Sequence, residues 1–248
     1  MPGNAVFLFW GLAMDKRLMS LVKKISPGKG VIDVGTDHGY IPVYLACTGY
    51  PGNIFASDIN AAPLETGIFN AKEAGVENRI GFIHCDGLEK CPKQEIDTIL
   101  IAGMGGDTIC GILDRDEWVM DQNYLLILQP MTKAEILRYW LINNGFEILS
   151  EDLCEDGGRV YQIITSRFGA FTLLNDAELF IGKYEQIRNS PLFLGRLLKL
   201  IKSAEKSLSG MEKAAGKDAL ARKKLMEEIY RQYVEMKARY MEENNANR

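Results

Sequence analysis

Between Gly30 and Gln129 the chain repeats one pattern: a short apolar run, a turn holding Gly, Asp or Asn, then a longer segment with apolar residues three and four apart. The apolar runs are Gly30–Val34, Asn53–Asp58, Ile80–Cys85, Thr98–Ala102 and Tyr124–Gln129. They are rich in Ile, Val and Leu and barely alternate, which predicts strands of a parallel sheet buried on both faces. The intervening segments Ile41–Cys47, Pro63–Ala74, Asp107–Asp114 and Lys133–Asn143 read as helices. Such alternation predicts a doubly wound sheet that binds its ligand at the carboxyl ends of the strands. Two further strands, Phe146–Cys154 and Arg159–Ser166, flank Glu155-Asp156-Gly157-Gly158, a hairpin signal. Upstream, Met14–Ile25 reads as a short amphipathic helix stopped by Ser26-Pro27-Gly28. Its apolar face carries Leu18, Leu21 and Val22, with Lys16, Arg17, Lys23 and Lys24 elsewhere.

After Gly169 the period changes. Asn175–Asn189, Leu192–Gly210 and Asp218–Glu243 are long, charged and helical, with breaks at Pro191 and Gly216. Met226, Ile229, Tyr233, Met236 and Tyr240 recur at alternating three- and four-residue steps, and Leu194, Leu197, Ile201, Leu208 and Met211 nearly do so. These are seam positions of an antiparallel hairpin or coiled coil. The seam can close within one chain or between two, so a monomer or weak dimer is expected. The pattern divides the chain into an α/β domain over residues 14–169 and a helical domain over 170–248. Ala5–Ala13 is apolar but only nine residues long. A bilayer needs roughly 20, and no basic residue precedes the segment as in a signal peptide. With MDKRL following at Met14, residues 1–13 read as a start-site extension or disordered leader rather than an anchor.

Composition is that of an ordinary globular chain, with 47% hydrophobic and 25% charged residues. Five cysteines form no C-x-x-C pair, which suggests reduced thiols and a cytoplasmic protein. With only two histidines, His38 and His84, no metal site is expected. The net charge of −4 conceals an asymmetry. Residues 182–248 hold 15 basic and 9 acidic side chains, a surplus of +6 that points to a polyanionic partner.

The chemistry concentrates at the predicted strand ends. Val31–Val34 runs into Gly35-Thr36-Asp37-His38-Gly39 and then a helix. Glycine admits a ligand close to the backbone, and the helix start offers free N–H groups. A dinucleotide loop requires glycine where Asp37 stands. A carboxylate there is a poor neighbour for pyrophosphate and a good one for a cation. The loop therefore favours S-adenosylmethionine, which carries a sulfonium and an ammonium, over NAD. Asp33 ends the first strand and can accept from the ammonium. Asp58 ends the second, 23 residues after Gly35, and can take both ribose hydroxyls. Asp86-Gly87 follows the third and suits the adenine amine and a ring nitrogen, with Ile59 and Leu88 as walls for the ring. Gly103-Met104-Gly105 ends the fourth strand and presents bare backbone to a flat acceptor. Gln129-Pro130 ends the fifth and contributes pocket wall. A parallel sheet finished by an antiparallel hairpin is the class I, Rossmann-like methyltransferase architecture.

On these motifs the chain resembles the TrmK family of bacterial tRNA methyltransferases, from Met14 to the C-terminus. The matching segments are Lys16–Leu18, Asp33–Pro42, Ala56–Asn60, Cys85–Leu88, Ile101–Gly106, Leu128–Pro130 and Glu155–Ile163. The resemblance implies transfer of a methyl group from S-adenosylmethionine to N1 of an adenine at tRNA position 22, leaving S-adenosylhomocysteine. It implies a basic hairpin that clamps tRNA together with Lys16 and Arg17. Asp37 then stabilises charge developing on the base, and Tyr40 stacks on or orients it. Two other readings are a class I enzyme acting on a small molecule or protein, and a degenerate fold that binds RNA without catalysis. The unbroken series Asp33, Asp58 and Asp86 opposes the second.

Overall fold

The computed structural model describes residues 14–212 and 216–246. The leader expected over residues 1–13 lies outside the described residues. The chain forms two compact units. One comprises the chain up to Ser150 together with Cys154–Thr172, the other Glu151–Leu153 together with the chain from Leu173 onward.

The first unit is built on a seven-stranded sheet. In chain order its strands are β1 (Gly30–Val34), β2 (Asn53–Asp58), β3 (Ile80–His84), β4 (Thr98–Gly105), β5 (Leu125–Thr132), β6 (Phe146–Asp156) and β7 (Arg159–Phe168). They lie in the order β3-β2-β1-β4-β5-β7-β6. The first five are parallel and β7 runs antiparallel to β5. Strand order reverses between β1 and β4, which is where sheets of this class bind ligands. The helices are α1 (Lys16–Val22), α2 (Tyr40–Cys47), α3 (Ala61–Glu73), α4 (Gly106–Arg115) and α5 (Ala134–Asn143). Helices α1, α2 and α3 pack in sequence, and α4 packs on α5.

The central strands form because their side chains are buried on both faces, and all five residues of β1 are buried. Asp15 caps α1 by accepting from the Leu18 amide at 2.6 Å, so the helix starts at Lys16 and not at Met14. Helix α2 starts from Gly39, whose φ of +66° and contact with Gly67 of α3 both call for glycine. Strands β4 and β5 run three residues beyond their apolar cores. Their ladder continues through register shifts around Met104, so pairing overrides the poor strand propensity of Gly103 and Gly105.

The second unit is helical: α6 (Asp176–Ile181), α7 (Tyr184–Ile187), α8 (Phe193–Gly210) and α9 (Lys217–Ala246). The single helix expected over Asn175–Asn189 is two, because Gly182 at φ +111° ends α6 after an Asn175–Glu178 capping box. Phe193 and Tyr240 rings lie 5.1 Å apart, and Tyr230 donates to Glu205 at 3.1 Å. These contacts pair the start of α8 with the end of α9, an antiparallel hairpin. Its core is Phe193, Leu197 and Ala204 against Ile229, Tyr233 and Met236. Phe193 is buried where the spacing pointed to Leu194, which is half-buried.

Candidate active site

The loop from β1 to α2 is held from beneath by the end of β2. The amides of Gly35 and Thr36 both donate to the Ser57 carbonyl, at 2.8 and 2.9 Å. Gly35 adopts φ +72°, and a Cβ there would stand 2.0 Å from the Met104 methyl. The flexible end of Met104 can move aside, but the left-handed backbone cannot be relieved. Gly35→Ala is therefore expected to lower stability by about 1–2 kcal/mol, read from a thermal melt; an unchanged melting temperature would contradict it. The Asp33 carboxylate at the end of β1 is buried and accepts from the Thr36 hydroxyl at 2.7 Å. Burial pushes its pKa up to about 6, against the lowering effects of that hydrogen bond and of the Arg17 charge.

Two cavities open along the carboxyl ends of the strands. The larger, about 590 Å³, is lined by Gly35, Asp58, Ile59, Asp86, Gly87 and Ile112, among others. Asp58 is oriented by the Asn60 amide at 2.7 Å. Asp86 receives two hydrogen bonds from Arg115, at 2.6 and 2.9 Å, and the guanidinium holds its pKa below the usual carboxylate range. Ile59 is 58% exposed at the rim. Leu88, expected as the opposing wall, is instead wholly buried and absent from the lining. It points into the core, and Ile112 of α4 takes its place. One stripe of α4 (Thr108, Gly111, Ile112 and Arg115) forms this wall. In sequence it passes for an ordinary solvent face, and only its mix of small and polar residues hints at a site.

The smaller cavity, about 360 Å³, is lined by Arg17, Asp33, Asp37, Tyr40, Gly103 and Met104, among others. Gly35 and Met104 line both cavities. Asp37 is 81% exposed, with its Oδ1 3.2 Å from Nε2 of His38. His38 takes φ +58°, stacks edge-on with Tyr40 at 5.7 Å, and has a buried Nδ1 without a hydrogen-bond partner. Gly39 lies behind the loop as the cap of α2. Gly105 caps α4 and lines neither cavity.

Three expected substrate contacts sit differently. Arg17 turns inward: its Nη1 donates to Gln129 at 2.9 Å and its guanidinium lies 5.8 Å from the Tyr161 ring. Gln129 is wholly buried, so it orients Arg17 and does not itself line the cavity. Pro130 is likewise buried, and Met131 supplies the wall after β5. Lys16 remains exposed. Burial pushes the Cys91 and Cys110 thiols up to about 12 and 11, so neither is a thiolate nucleophile at neutral pH. Among the described residues, no group of three His, Cys, Asp or Glu side chains is placed to hold a metal ion. None of their helices is long and apolar enough to cross a membrane.

The donor set suits S-adenosylmethionine. Three carboxylates, Asp33, Asp58 and Asp86, line the two cavities, as a cationic ligand bearing a diol and an amine calls for. Residues 14–164 match the methyltransferase domain family. The tRNA (adenine(22)-N(1))-methyltransferase of Bacillus subtilis is 27% identical over 209 residues, covering 82% of this chain and 88% of that one. The crystal structure of the B. subtilis m1A22 tRNA methyltransferase TrmK superposes with a TM-score of 0.75 at 25% identity, over 88% of this chain and 98% of that one. TrmK of M. capricolum, solved with S-adenosylhomocysteine, gives 0.74 at 26% identity over 90% and 98%. By the matched domain, the shared fold and the strand-end acids together, this chain belongs to the methyltransferase domain family and, within it, to the TrmK family.

Proposed function

We propose that this protein transfers a methyl group from S-adenosylmethionine to N1 of adenine 22 in tRNA. The observation that carries this reading is the placement of Asp33, Asp58 and Asp86 along two adjoining cavities. The larger cavity takes the nucleoside: Asp58 binds the ribose hydroxyls, Asp86 accepts from the adenine amine, and Ile59 and Ile112 flank the ring. The smaller takes the amino-acid end, with Asp33 for the ammonium and Arg17, which lines the same cavity, for the carboxylate. When bound, the donor supplies an electrophilic sulfonium methyl group. The acceptor nitrogen is neutral and carries a lone pair, so the protein's task is alignment more than activation. The target adenine, flipped from the tRNA, lies against Gly103 and beside Tyr40. Asp37 accepts from its exocyclic amine and stabilises the positive charge that methylation creates.

The basic hairpin holds the tRNA backbone. Lys199, Lys202 and Lys206 are exposed on one face of α8. In the same unit, Arg188, Arg231 and Arg239 are tied up in ion pairs with Glu185, Glu228, Glu235 and Glu243. Changing the three lysines together to glutamate is expected to weaken tRNA binding at least tenfold and to flatten its salt dependence by about three counterions, with S-adenosylhomocysteine affinity unchanged. Filter binding over a salt series checks this, and an unaltered slope would move the clamp elsewhere. We infer a cytoplasmic location from action on tRNA.

The test of the reaction is methyl transfer from labelled donor to unmethylated tRNA, with the nucleoside identified by mass spectrometry. N1-methyladenosine at position 22 supports the proposal. Donor binding with no labelled RNA would redirect it to a small molecule or protein acceptor.

A further inference from the structure

Arg115 is the last residue of α4 and reaches across the larger cavity's rim to Asp86, beyond the end of β3. Its two donors meet the two carboxylate oxygens separately, Nη1 to Oδ2 at 2.6 Å and Nη2 to Oδ1 at 2.9 Å. Both side chains are about half exposed, 54% and 45%. Ion pairs that exposed add little to folding, so the pair has another use. A fork-to-fork contact fixes the plane and direction of a carboxylate, which a single-point contact cannot do. It occupies one lone pair on each oxygen and leaves the others available. The backbone under the pair is close-packed as well: a Cβ on Gly87 would stand 3.0 Å from Ile112 and 3.3 Å from Arg115 Nη2.

We propose that Arg115 is a positioning residue that sets base identity at the donor site, clamping Asp86 so that a fixed, acceptor-only group faces the purine 6-position. This rests on the larger cavity being the nucleoside end of the donor site. An ionised carboxylate accepts from a 6-amino group and repels a 6-oxo group, so the clamp selects adenine over hypoxanthine both by attraction and by repulsion. A carboxylate free to rotate loses both effects, because it can turn away from the wrong base into water.

The test is calorimetric titration of the intact protein, its Arg115→Ala variant and its Arg115→Lys variant with S-adenosylhomocysteine and with S-inosylhomocysteine, which carries a 6-oxo group and an N1–H in place of the 6-amino group and bare N1. The N1 change is common to all three proteins, so the change in preference between them reads the clamp. The unmodified protein is expected to prefer S-adenosylhomocysteine by about a hundredfold. In Arg115→Ala, affinity for it falls by about tenfold and the preference drops below about tenfold. Arg115→Lys keeps the charge but not the fork, and falls between. An Arg115→Ala protein with unchanged affinity and unchanged preference would overturn the proposal. Should that variant fail to fold, full preference in Arg115→Lys would overturn it equally. If the unmodified protein shows no affinity for S-adenosylhomocysteine, the donor-site reading itself is at fault.

Discussion

Replacing Asp33 with asparagine is expected to raise the melting temperature while removing most of the affinity for S-adenosylhomocysteine. Burial lifts the Asp33 pKa from the ordinary 3.8 to about 6. Between those values the folded protein holds more protons than the unfolded chain, so folding is favoured as pH falls. The cost of an ionised Asp33 is fully present above about pH 6 and is relieved as pH drops through 6 toward 4. A rise of about two pH units corresponds to about 3 kcal/mol at neutral pH, or about 6–12 °C in a domain of this size. Asparagine removes the charge but keeps an oxygen for the Thr36 hydroxyl. Melts at pH 7.5 and pH 5 check this: the variant's advantage is large at the first and shrinks at the second. Binding moves in the opposite direction. In the unmodified protein, affinity for S-adenosylhomocysteine declines below about pH 6 as Asp33 takes up a proton, by about tenfold per pH unit. In Asp33→Asn it is at least about a hundredfold weaker at pH 7.5 and flat across that range. A variant that melts below the parent at pH 7.5 would refute the desolvation account, and one that binds undiminished would refute the ammonium contact.

Asp37→Ala is expected to lower the rate of methyl transfer by about 100- to 1,000-fold and to change S-adenosylhomocysteine affinity by less than about threefold. Asp37 projects into the smaller cavity from a loop whose backbone is fixed by Ser57 and by the left-handed turn at His38. It is 81% exposed, so its loss removes no core contact. A carboxylate accepting from the base's amine gains strength as the ring becomes cationic, so its contribution falls on the transition state more than on binding. Single-turnover kinetics on unmethylated tRNA separate the two effects. A normal rate in the variant would assign the charge-stabilising role to another group.

The strand ends were legible because chain direction in a parallel sheet places every carboxyl end on one edge. Reading Asp33, Asp58 and Asp86 as the last polar residues of apolar runs was enough to gather them in one site. The helical wall was not legible. Leu88 lies two residues after Asp86 in sequence but is buried in the core, whereas Ile112 and Arg115 arrive from a helix more than 20 residues later. Nothing in Thr108-x-x-Gly111-Ile112-x-x-Arg115 distinguishes a cavity wall from a solvated face until the packing of α4 is known. Arg17 misled for a related reason. Among four basic residues of an amphipathic helix it looks solvated, and only the buried Gln129 beneath it reveals that it turns inward. The split between α6 and α7 eluded periodicity because the apolar spacing continues in phase through Gly182-Lys183.

The two cavities share only Gly35 and Met104 among their lining residues. A molecule that fills one is thus separated from a molecule that fills the other by a single thioether side chain. Fragments found for each can be joined by a short tether passing Gly35, once the flexible Met104 methyl that lies over it moves aside. Tethering makes the second binding event intramolecular, at an effective concentration in the millimolar range for a short flexible linker. The feature that divides the donor site into a nucleoside end and an amino-acid end therefore also marks the attachment point for a two-headed inhibitor.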